Sequence, residues 1–157
     1  MKIGEQWRLS GVDSRSIYAV AGWYIHPFKS IIFTKDGVHY SELTAFQVLE
    51  ELCIRNGASY KGREEATRAL SNRRYTKKVP VLIATPGVAA FPTCSPNHLD
   101  CVWLFNHFMT FTKLTESKTQ VEFLNGEKIC IKASVAMLEK QRSRNFSVVG
   151  FYTLHTY

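Results

Sequence analysis

The sequence predicts an α+β fold in a single domain: antiparallel β meanders, an amphipathic helix near 44–55, a short helix near 63–71 and a C-terminal helix from about 134. Three observations predict it. Runs of β-branched and aromatic residues are cut by Pro, Gly and Asn-Gly pairs, as strands joined by tight turns are. One stretch, SELTAFQVLEELCIRNG, repeats apolar residues at helical spacing between recognisable caps. At 157 residues, 45% hydrophobic and 13% aromatic, the chain can bury one real core but not two comfortable ones. It should fold without disulfides or metals.

From Arg15 to Tyr40, SIYAVAGWYI, SIIFT and GVHY read as a meander, with Asp36-Gly37 turning between Thr34 and Val38 because Gly tolerates positive φ. In the helix that follows, Ala45, Val48, Leu49, Leu52 and Cys53 share a face. Thr44 and Gln47 resemble a capping box, and Gly57 is a left-handed stop. Arg63–Ser71 is rich in helix formers, with Ala66, Ala69 and Leu70 to one side. Asn72–Lys78 is then a basic loop, and two short strands flank Pro86-Gly87. Cys101–Lys113, Thr119–Leu124 and Lys128–Lys132 form a second extended region turning at Asn125-Gly126. A helix starts at Ser134, with Val135 and Leu138 inward and Lys140, Arg142 and Arg144 outward; FSVVGFYTLHTY after it is ambiguous between helix and strand.

The charge is concentrated. Arg55, Lys61, Arg63, Arg68, Arg73, Arg74, Lys77 and Lys78 face only Glu64 and Glu65 within Arg55–Lys78, giving +6 of the chain's +7. Such a cluster is costly in self-repulsion unless a polyanion relieves it, and Tyr60 and Tyr75 lie beside it, which favours nucleic acid over an ordinary solvated face. No segment pairs a basic face with a long apolar one, and no apolar run nears the ~20 residues that span a bilayer, so no membrane partner is expected. MKIGEQWRLSG lacks the apolar region of a signal peptide, which makes the cytoplasm, and there the nucleoid, the expected location.

Catalysis is not expected, and no cofactor is. The glycines form no phosphate-binding loop, and no nucleophile motif is present. Adjacent Glu64 and Glu65 project about 100° apart on a helix, poorly placed to share a metal, and read as charges complementing a helix N-terminus. Cys94, His98, Cys101 and His107 include zinc-ligand types, but their spacing fits no usual structural site; they read as one core thiol and scattered surface histidines.

Several short segments together resemble the bacterial competence transcription factor family, ComK. They are Ser59-Tyr60-Lys61-Gly62-Arg63, Lys78 with Pro80, Phe91-Pro92-Thr93, Cys101-Val102-Trp103 with His107, Phe123-Leu124-Asn125-Gly126, and Ser134 with the polar helix after it, in order over 56–144. The resemblance implies a sequence-specific DNA-binding activator of DNA-uptake genes that reads paired AT-rich boxes through the minor groove as a homo-oligomer. It also implies proteolytic control through an adaptor and a Clp protease, signals for which lie in a C-terminal tail of longer members. Family members lack counterparts of Cys94 and His98. The expected DNA-binding residues are Lys61, Arg63, Arg68, Arg73, Arg74, Lys77 and Lys78. Of these, Arg63 and Arg73 or Arg74 are the groove-insertion candidates and the others phosphate contacts. Two readings stand beside this one: an RNA-binding or nuclease domain in which Tyr60, Tyr75 and Trp103 stack on bases, and a protein-interaction module without DNA binding.

Overall fold

The computed structural model describes residues 12–155. After a short 3-10 turn at Ser14–Ser16 come β1 (Ile17–Gly22), β2 (Ser30–Thr34), β3 (Gly37–Ser41), α1 (Ala45–Arg55) and α2 (Tyr60–Leu70). There follow β4 (Val81–Ala84), β5 (Val88–Pro92), β6 (Trp103–Phe105), β7 (Met109–Thr115), β8 (Lys118–Phe123), β9 (Lys128–Ile131) and α3 (Val135–His155). The expected α+β class is what the chain adopts. The opening sequence to Gly11, where the signal-peptide reading falls, lies outside the described residues.

A six-stranded antiparallel sheet ordered β3-β2-β1-β6-β5-β4 forms the middle layer. Both its faces are covered, which is why β1, β2, β4, β5 and β6 are almost continuously apolar instead of alternating. Ile17, Val20, Ile32, Val81, Ile83, Trp103 and Phe105 face α1, which contributes Val48, Leu49, Leu52 and Cys53. Ala19, Ile31, Phe33, Phe91 and Leu104 face the other way, onto a three-stranded sheet ordered β7-β8-β9 and Leu138 of α3. The alternation of β1 supplies both cores, and a bulge between Ile17 and Ala19 puts Tyr18 and Ala19 in the same one.

Local chemistry sets the boundaries. Thr44 accepts from the Gln47 amide at 3.2 Å while the Gln47 side chain accepts from the Thr44 amide at 2.9 Å, the expected capping box. Gly57 ends α1 at φ +88°. The second helix begins three residues before the expected start, because Ser59 caps it by accepting from the Gly62 amide at 2.9 Å. The β2–β3 turn is Lys35-Asp36, with Gly37 already paired to Thr34. The extended stretch 101–113 is split between the two sheets, since Asn106 breaks it. The Asn106 side chain binds the Ala89 amide at 3.0 Å and the Gly87 carbonyl at 2.6 Å. The ambiguous C-terminal segment is helical through His155; the buried Asn145 just before it donates to the Ala89 carbonyl at 3.1 Å, and its Val148 packs on Leu82 and Ala89.

Candidate nucleic-acid interface

α2 and the loop after it carry all seven basic residues singled out from the sequence. Thr67, fully buried, ties α2 to the sheet by donating to the Pro80 carbonyl at 2.6 Å. The loop Asn72–Lys78 is then pinned at every turn of its path. Asn72, Arg73 and Lys78 take left-handed backbone, φ +57°, +65° and +51°. The Tyr75 amide donates to Ser71 Oγ at 3.1 Å, Arg68 reaches the Thr76 carbonyl at 3.4 Å, and Gln141 of α3 donates to the Lys78 carbonyl at 2.7 Å. The Tyr75 ring packs under Arg144, 4.8 Å from guanidinium carbon to ring centre, and beside Phe151. Non-glycine left-handed residues cost backbone energy and persist only where surroundings over-determine them. Here side chains from α2 and α3 supply that determination, so the loop presents its charges from a fixed frame.

The charges are not equivalent. Arg68 pairs with Glu64 at 3.0 Å and lies 3.8 Å from Glu65; Arg73 pairs with Glu65 at 2.7 Å. Glu64 and Glu65, in the body of α2, therefore neutralise Arg68 of the helix and Arg73 of the loop, and the expectation that they complement a helix N-terminus is corrected: the first turn of α2 has no acidic residue. Arg63 is half-buried. Its guanidinium lies 5.5 Å from the Tyr152 ring centre, its Nε is buried, and its charge partly offsets the burial that pushes the Cys53 thiol up to about 12. It is held against the protein rather than free to enter a groove. Lys61 is exposed at the start of α2, roughly 14 Å along the helix axis from its end. That leaves Arg74, Lys77 and Lys78, exposed together on the pinned loop, with no carboxylate within salt-bridge distance among the described residues.

The matching family model is that of the ComK protein, over residues 16–152. The chain belongs to the ComK family. It is 29% identical over 114 residues to the competence transcription factor of Bacillus subtilis (strain 168), an overlap of 71% of this chain. The chain spans only 58% of that curated relative's length. No solved structure matches it. The ComK match takes in both sheets, α1, α2, the pinned loop and α3 through Tyr152, so the loop and its braces lie inside the family's core.

Other sequence candidates in this ComK family member are placed differently. Tyr60 and Trp103, proposed to stack on bases, are 4% and 1% exposed and belong to the core between sheet and helices. Tyr75 has its ring engaged by Arg144 and Phe151. The zinc-type residues do not converge: His107 packs edge-on against Tyr18 at 5.0 Å, Cys101 is fully buried, and His98 Nδ1 accepts from the Asp100 amide. Among the described residues no three His, Cys, Asp or Glu side chains gather to hold a metal, and no helix is long and apolar enough to cross a membrane. Of the basic residues of α3 expected to point outward, Lys140 is exposed, whereas Arg142 and Arg144 fold back. Arg142 lies 4.3 Å over Phe111 and donates to the Met109 carbonyl, while Arg144 covers Tyr75. Gln141 and Arg144 are the braces that sequence reasoning missed; only their spacing on a helix, facing an unknown partner, could have suggested them.

Proposed function

We propose that the chain is a DNA-binding transcriptional activator of competence genes that docks the Asn72–Lys78 loop on duplex DNA. The observation that carries this reading is the exposed trio Arg74, Lys77 and Lys78 on a loop held rigid by α2 and α3, within a ComK family match. A preorganised cluster loses little freedom on binding, so its Coulomb attraction to phosphates is not spent on ordering the loop. Arg74 is the groove-insertion candidate, because Arg63 is packed on Tyr152 and Arg73 is engaged with Glu65. Narrow AT-rich minor grooves concentrate negative potential and attract an inserted arginine. Lys77 and Lys78 act as phosphate contacts that set register. Minor-groove reading is degenerate, so paired AT-rich boxes call for a homo-oligomer. The burial of Tyr60 and Trp103 disfavours the RNA-stacking alternative, since two of its three aromatic platforms are inside the core.

Competition for a labelled AT-rich duplex tests this reading. Unlabelled AT-rich duplex should displace it at lower concentration than GC-rich duplex, single strands or RNA. Equal displacement by RNA, or no binding to any duplex at low salt, contradicts it.

A further inference from the structure

A sheet edge presents unpaired backbone N–H and C=O groups, and folded proteins blunt such edges with short strands, charges, proline, bulges or covering elements. Among the described residues the two sheets have four outer strands, β3, β4, β7 and β9. Three of them are blunted. β4 has four residues, all buried, follows Pro80 and carries a bulge between Leu82 and Ala84. β7 carries Lys113 and a bulge between Lys113 and Thr115, and Arg142 occupies the Met109 carbonyl. β9 has four residues, carries Lys128 and is followed by Lys132.

β3, five residues long, carries no charge, proline or bulge. Gly37-Val38-His39-Tyr40-Ser41 contains no lysine, arginine, carboxylate or proline, and pairs with β2 in unbroken register from Thr34↔Gly37 to Ser30↔Ser41. In an antiparallel pair every second residue turns its N–H and C=O away from the neighbour, toward the free edge. The strand's central residues are partly exposed, and Tyr40 joins an aromatic cluster beside the edge. Its ring lies 5.6 Å from that of Trp23 and 5.4 Å from that of Phe28, and Trp23, Tyr24 and Ile25 are exposed around it.

We infer that β3 is a self-association edge, at which two copies of this chain join antiparallel across a two-fold axis to continue the six-stranded sheet into one of twelve. Two features choose a second copy over a foreign strand. The strand is uncharged, unbroken in register and flanked by its own aromatic cluster, so the same patch satisfies both sides of an isologous contact. The charge distribution also permits it. β3 and β4 are the opposite edges of the sheet, and the basic loop leads into β4. Pairing at β3 places the two β4 strands eleven interstrand steps apart, roughly 50 Å, far beyond a Debye length of about 8 Å. Two copies that repel elsewhere on account of their +7 charges meet here with their basic loops at opposite ends.

The inference deepens the proposed function by naming the face of the oligomer, and rests on that reading only for its consequence on DNA; self-association is measured without DNA. Sedimentation velocity of the full chain across a concentration series is expected to show conversion to twice the 17.9 kDa protomer mass. His39→Lys with Tyr40→Lys is expected to hold it as a monomer with an unchanged far-UV circular dichroism spectrum. Hydrogen exchange provides the second readout: β3 amides of the unaltered chain should gain protection as protein concentration rises, while β4 amides should not. A chain that stays monomeric, a lysine variant that still dimerises, or β3 protection independent of concentration overturns the inference. A dimer that binds no DNA leaves it standing and removes the proposed function instead.

Discussion

Replacing Arg74, Lys77 and Lys78 together by Ala removes the three loop cations that have no carboxylate pair among the described residues. Each phosphate contact contributes about −0.9 to the slope of log affinity against log salt on duplex DNA, so the triple variant should lose about 2.7 of that slope. Over a fourfold rise in salt, about 50 to 200 mM, three such contacts account for roughly a 40-fold fall in affinity. The unaltered chain should show that fall and the variant should not. The control is Arg68→Ala with Arg73→Ala, which removes two positive charges, one fewer than the triple variant, from residues already paired to Glu64 and Glu65. Its affinity should drop, because two glutamates are freed near the phosphates, but its slope should move by less than about one. Lys78 already holds φ +51°, so Ala there adds no new backbone strain and the variant should fold. Fluorescence anisotropy with a labelled duplex at several salt concentrations measures both slopes. An unchanged slope in the triple variant, or a larger change in the control, refutes the division of the basic residues into free and paired.

Glu65→Gln releases Arg73 from its 2.7 Å partner; exposed pairs of this kind are worth about 0–1 kcal/mol, so the fold should tolerate the change and duplex affinity should rise several-fold with a steeper salt slope. Weaker binding in the same anisotropy assay would show that Glu65 is needed to aim Arg73. Gln141→Ala leaves the Lys78 carbonyl without its 2.7 Å donor, at a cost of about 1–3 kcal/mol and a Tm lower by roughly 2–10 °C in thermal unfolding. An unaltered Tm would mean that α3 does not brace the loop. Burial lowers the His107 pKa below its ordinary 6.5, so the unfolded chain binds more protons and stability should fall as pH drops below about 6.5 toward the folded-state value. His107→Asn should flatten that part of the stability profile in urea titrations at several pH values, and an unflattened profile would assign it to another group.

The fold was legible where local chemistry decides it. Thr44 with Gln47 and Gly57 bounded α1 correctly, and Asn125-Gly126 marked the β8–β9 turn, where Gly126 sits at φ +89°. It was illegible where a distant group decides. Asn106 ends a β-rich run only because Ala89 and Gly87 lie across from it. The β-branched FSVV segment became helical through burial of Asn145 and Val148 against β4 and β5, tertiary packing overriding propensity. The candidate site divides the same way. The concentration of charge was readable from composition, whereas Arg63 leaning on Tyr152 and Arg144 on Tyr75 join residues far apart in sequence, and no local pattern encodes them.

On the proposed reading the braced loop, and not basic residues in general, meets DNA. A photo-crosslinking amino acid placed at Lys77 tests it most directly, with one at Lys113 on the three-stranded sheet as the basic, exposed comparison. Irradiation with an AT-rich duplex should give a protein–DNA adduct from position 77 and little or none from position 113. Adducts of equal yield from both positions, or from 113 alone, would contradict the claim.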